Sequence, residues 1–195
     1  MADVQPYPVN ITGSLSDYPS RWLWLFKWLT IIPHIIVLYF IEIAAFVIWV
    51  IALFAILFTG KYPRSLFDFM AGCLRWYWRV NFYSYSALGT DKYPPFTLDK
   101  ADYPADFDAV YPETLSRGLV LVKWWLLAIP HFIILYVFST VLEILVLVCG
   151  VILLFTGKYP EDLFKFIIGI NRWIYRVYAY VTLMTDEYPP FRFEP

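Results

Sequence analysis

A chain of 195 residues that is 61% hydrophobic and 22% aromatic, with 16% charged residues, cannot build an ordinary water-facing surface, since soluble domains carry about 25% charged residues. The net charge of -1 excludes the strongly basic footprint of a nucleic-acid binder. Cys73 and Cys149 sit in no CxxC or Cys/His cluster, which excludes a zinc or disulfide framework and leaves them as small apolar fillers.

Residues 1–19 form a lead-in without the basic segment and apolar core of a cleaved signal peptide. The sequon "NIT" at Asn10 is a three-residue match that carries no weight alone. From Trp22 to Thr59 only Lys27, His34 and Glu42 are titratable, far longer than the ~18 apolar residues that suggest a spanning helix. The first apolar run is therefore expected to act as the insertion signal.

Two threadings fit this run. In a hairpin, residues 22–40 cross and 43–59 return, and all fifteen Lys and Arg of the chain lie on one side. In a single tilted span from His34 to Phe58, seven lie on one side and eight on the other. Because Lys/Arg asymmetry orients membrane segments, the hairpin is the expectation, with basic loops and both termini cytoplasmic. The single span is the alternative. Glu42, and Ser139, Thr140 and Glu143 in the later run, fall near the expected turns.

The run closes on "LFTGKYP", Leu57 to Pro63. Gly60 reads as a helix C-cap, Lys61 as a cation at the negative helix end, Tyr62 as an interfacial anchor and Pro63 as a restart. Pro33 preorganises a first helical turn in the same way. Ser65 to Leu88 then reads as an amphipathic helix lying in the membrane interface, with Asp68, Gly72, Arg75 and Arg79 on one narrow face among aromatic residues.

Everything recurs. Beyond an acidic, Pro-containing connector at 98–115, Ser20-Arg21 returns as Ser116-Arg117, Lys27 as Lys123, "IPH" at Ile32 as "IPH" at Ile129, and "LFTGKYP" in full at Leu154. Arg75 and Arg79 return as Arg172 and Arg176, and "YPPF" at Tyr93 as "YPPF" at Tyr188; the lead-in "YP" at Tyr7 recurs at Tyr103. The expected organisation is repeat one over 20–97 and repeat two over 116–195. The expected fold class is an all-α, multi-pass integral membrane protein: a tandem repeat of a transmembrane hairpin, or one long span, followed by an interfacial amphipathic helix.

The ordered set "IPH", "LFTGKYP", "RWYWRV" and "TDKYPPF" resembles a bacterial membrane family, frequent in actinobacteria, catalogued only as a domain of unknown function. That resemblance covers both copies and implies a protein of the bacterial cytoplasmic membrane built from one or two such units. It brings no activity or catalytic residue with it.

No phosphate loop, hydrolase elbow, HExxH or dinucleotide fingerprint is present, and "TGKY" lacks the upstream Gly and following Ser or Thr of a phosphate loop. The chain is expected to be non-enzymatic: a scaffold or accessory subunit packing against membrane lipids, other membrane subunits or itself. The candidate lipid- or partner-contacting residues are Arg75, Arg79, Arg172, Arg176, Lys61 and Lys158. One alternative is a carrier of lipid, quinone or another apolar molecule, using Glu42 or Glu143. Another is a haem- or chlorophyll-type pigment subunit, in which His34 and His131, the only histidines, meet as axial ligands.

Overall fold

The structure, a computed structural model, describes residues 7–16 and 19–194. The first six residues, on which part of the leader expectation falls, lie outside it. Strand β1 is Val9–Gly13, and a 3-10 turn leads into the short helix α1, Lys27–Thr30. Next come the long helices α2, Ile32–Thr59, and α3, Arg64–Tyr83, followed by strand β2, Ala105–Ala109. The second copy supplies α4, Ile129–Thr156, and α5, Glu161–Val181.

The expected hairpin turn does not exist. Helices α2 and α4 each run unbroken for 28 residues, about 42 Å at 1.5 Å per residue. The physical reason is local, since neither apex holds a Gly or Pro to stop a helix. Both helices begin with Pro in the first turn. They end at Gly60 (φ 72°) and Gly157 (φ 70°), whose N–H groups bond the carbonyls of Ile56 and Leu153 at 2.8 Å. A left-handed cap of this kind penalises any Cβ. Gly157→Ala should cost ~1–2 kcal/mol, read as a lower Tm in detergent. Gly118→Ala, where an added Cβ meets nothing within 4 Å, should leave Tm unchanged.

The fold is not all-α either. β1 and β2 pair antiparallel with Ile11 opposite Phe107, Val9 opposite Ala109 and Gly13 opposite Ala105. Val9, Ile11, Ala105 and Phe107 are buried while Thr12 and Asp108 are exposed, a two-residue alternation that sets the register. The lead-in and the acidic connector are therefore the two halves of one ribbon. β1 packs on α5 and β2 on α3, so each strand serves the other end of the pair.

α3 and α5 differ from expectation as well. They form the centre of the molecule, with Trp78, Trp173, Arg79 and Arg176 among the largest fully buried side chains. α2 doubles back onto α3, Leu38 packing with Trp76 and Val80, and α4 doubles back onto α5. The two copies meet where Trp78 lies edge-on to Tyr175 at 5.3 Å, and where Phe82 faces Phe164 at 6.1 Å. Two tryptophans of the first copy also reach the second. Trp49 of α2 donates to the carbonyl of Val181 at 2.9 Å, and Trp24 lies over Gly150 of α4. Cys73 and Cys149 are buried and free, as fillers are.

The segment between the copies follows α3 along its whole length. It starts at Thr90, whose carbonyl accepts from Lys27 at 2.6 Å near the start of α2. Leu98 lies against Gly72 in mid-helix, and Leu115 donates its N–H to the carbonyl of Gly60 at 2.8 Å, at the end of α2. On the way it exposes Lys92, Asp99, Lys100, Asp102, Asp108 and Glu113 to solvent.

Candidate functional site

Each copy builds the same clasp. In the first, the Lys27 ammonium, 1% exposed, bonds the Asp91 carboxylate at 3.0 Å, and Asp91 also accepts from the backbone N–H of Ser20. In the second, Lys123, 0% exposed, bonds Asp186 at 2.7 Å and the carbonyl of Thr185 at 3.0 Å, and Asp186 accepts from the N–H of Ser116. Burial pushes both lysines below the usual lysine range, and the paired carboxylates act in the opposite sense. The ring of Tyr83 under Lys27 (4.5 Å) and that of Tyr180 near Lys123 (5.7 Å) complete the enclosure. The clasp ties the segment before each long helix to the motif that ends its copy.

The same motif encloses the histidines. His34 stacks on Phe96 at 3.9 Å, lies 4.9 Å from Tyr93 and accepts at Nδ1 from Trp76 Nε1 at 3.1 Å. His131 sits likewise among Phe191 (4.7 Å), Tyr188 (4.6 Å) and Trp173 (5.4 Å), without that hydrogen bond. Both rings are 0% exposed. The structure thus does not bring the two histidines face to face. Each packs among its own copy's aromatic side chains.

The four arginines are not on a lipid-facing stripe. Arg75 bonds Asp106 at 2.9 Å, the carbonyl of Leu98 at 2.9 Å and that of Phe107 at 3.2 Å. Arg79, fully buried, donates to the carbonyl of Asp99 at 2.9 Å. Arg172 reaches Asn10 at 3.0 Å and the carbonyl of Phe193 at 2.7 Å, and Arg176 reaches those of Arg192 at 3.2 Å and Glu194 at 2.8 Å. Their work is to hold extended chain segments against α3 and α5, and this overturns the expectation that they grip phosphates. Lys61 and Lys158 do remain exposed.

Sequence reading missed the reciprocal caps. Arg21 lies over Gly157 at the end of α4, and Arg117 over Gly60 at the end of α2. A cation there complements the negative end of the helix dipole. The recurrence of Ser-Arg was the available signal, yet nothing in it says that each arginine serves the other copy. The clasp was similarly visible as repeated Lys and repeated "TD", unpaired.

Neither carboxylate of the carrier reading is buried. Glu42 and Glu143 are exposed, Glu42 accepting from the Tyr77 hydroxyl at 3.3 Å. The recess beside Glu143 measures 120 Å³, below the ~300 Å³ at the small end of ligand sites. Three larger recesses are open: one of 350 Å³ beside Glu42, lined by Tyr39, Ile43 and Phe46, and two grooves of 530 and 570 Å³ whose linings include Lys158, Glu161 and Lys165 in one and Arg64, Asp99 and Lys100 in the other. Among the described residues, no three His, Cys, Asp or Glu side chains gather as a metal ion would need.

Searches of curated proteins and of solved structures return no match. A family model, Domain of unknown function (DUF4389), matches residues 21–97 and again 120–192. Each match ends one residue beyond "YPPF" and takes in its copy's Lys–Asp pair, Lys27 with Asp91 or Lys123 with Asp186; the chain belongs to this family and carries two tandem copies of its domain.

Proposed function

We propose that this chain is a non-catalytic membrane protein of the bacterial cytoplasmic membrane, a scaffold or accessory subunit whose exposed face is made of α2 and α4. One observation carries the reading. The most apolar windows of these helices have mean hydropathies of 2.8 and 2.7, yet only 11% and 28% of them is buried. Core helices of soluble proteins are hydrophobic because they are covered. Here Phe40, Phe46, Phe58, Ile133, Tyr136 and Phe155 stand 64–78% exposed, and each large apolar side chain left in water forfeits about 1.5–3 kcal/mol.

What the rest of the molecule does supports a structural role. Its buried charges and aromatic rings are spent on holding its own segments, and the exposed Lys61 and Lys158 are placed to meet lipid phosphates or acidic groups of a partner. Membranes from expressing cells, washed in alkaline carbonate, should retain the chain in the pellet, and gentle solubilisation should recover it with a stoichiometric membrane subunit or as a self-assembled oligomer. Release into the wash would contradict membrane residence. A lone monomer carrying a bound apolar small molecule would favour the carrier instead.

A further inference from the structure

Building on that membrane reading, we infer that α2 and α4 do not cross the bilayer but lie in its plane, immersed in one leaflet, with the rest of the molecule on the cytoplasmic side. The partner of this apolar face is a lipid leaflet.

The path of the connector carries the inference. If α2 stood along the membrane normal, α3, which doubles back along it, would stand beside it, and so would the segment from Thr90 to Leu115 that follows α3 from end to end. That segment exposes Lys92 and Asp102 with side chains 52% and 106% accessible, and Lys100 and Asp108 at 65% and 71%. These are two exposed ion pairs, Lys92 with Asp102 at 3.0 Å and Lys100 with Asp108 at 3.4 Å, and they would be held at hydrocarbon depth without a protein cover, which membrane proteins avoid. The ribbon of β1 and β2 packs on α3 and α5 beside these charges, so the polar side is continuous.

Laid flat, the molecule has no such conflict. A helix with its side chains is about 10–12 Å thick, which fits within one leaflet, half of the ~30 Å hydrocarbon core. Arg21 and Lys158 at one helix end, and Arg117 and Lys61 at the other, are exposed where headgroup phosphates would lie. Trp22 (63%), Trp28 (54%) and Trp125 (46%) are exposed in the turns that lead into the two helices, a residue type that gathers at the interface. The charge distribution agrees. A flat molecule keeps all fifteen Lys and Arg on one side, the asymmetry that orients membrane proteins.

Three variants, each adding one exposed cysteine, decide it: Lys61→Cys, Lys158→Cys and Asp102→Cys, in intact cells, each treated with a membrane-impermeant maleimide before and after permeabilisation. The parent chain, whose Cys73 and Cys149 are buried, gives the blank. All three variants should label from the same side, at least tenfold more after permeabilisation than before. Labelling of Lys61→Cys and Lys158→Cys from opposite sides would overturn the in-plane arrangement while leaving membrane residence intact. Absence of the chain from carbonate-washed membranes would overturn both.

Discussion

Replacing Trp78 by Ala should lower the stability of the detergent-solubilised chain by ~4 kcal/mol, in the range for emptying a fully buried tryptophan site. Trp78 is 0% exposed and meets three parts of the molecule at once. Its ring lies against Tyr175 of the second copy at 5.3 Å and Phe82 at 5.4 Å, and its Nε1–H donates to the carbonyl of Thr12 in β1 at 2.7 Å. Alanine leaves a cavity at the junction of the copies and an unpaired carbonyl on the ribbon. Thermal melting followed by circular dichroism should show a large fall in Tm, with little chain accumulating in the membrane. Ile36→Ala, at a 56% exposed site on α2, should leave the melt in detergent nearly unchanged. Equal effects from the two substitutions would mean that α2 and α3 have exchanged roles.

Asp186→Ala should cost about 3 kcal/mol, the low end of the range for breaking a buried ion pair. The loss comes from stranding the Lys123 ammonium, 0% exposed, and from leaving the Ser116 N–H without its acceptor, while Asp186 itself is 26% exposed and partly screened. The cost belongs to the unpaired charge and not to the attraction between the partners. Lys123→Met combined with Asp186→Ala should therefore recover a substantial part of the lost Tm. A double variant as unstable as the single one would locate the effect in the Ser116 turn instead. Asp91→Ala should behave in parallel, because Lys27 and Asp91 repeat the arrangement at 3.0 Å.

Much of the local grammar was legible from residue order. The duplication, the Pro starts of α2 and α4, and the left-handed Gly60 and Gly157 caps all follow from short-range rules that tertiary packing did not override. The strands were not legible, because each is five residues long and its partner lies about a hundred positions away, hidden in segments whose acidic residues read as solvated linker. The arginine stripe was seen with the right spacing and the wrong environment. A guanidinium facing lipid phosphate and one facing backbone carbonyls leave the same pattern on a helix, and only the connector's path over Arg75 and Arg79 separates them.

The hairpin failed for a different reason. Counting Lys and Arg by side presumes that every long apolar run crosses the membrane, so the one-sided distribution of all fifteen could be met only by inserting a turn. A helix lying flat meets it without one. The same count that misdirected the topology of α2 agrees with the in-plane arrangement proposed above.

Helix orientation is the most direct test, because α3 doubles back along α2, α5 doubles back along α4, and all four share one orientation relative to the bilayer in the proposed arrangement. Circular dichroism of the chain in stacked, aligned bilayers should show the signature of helices lying in the membrane plane. A spectrum dominated by helices along the bilayer normal would contradict the account and restore two crossings per molecule.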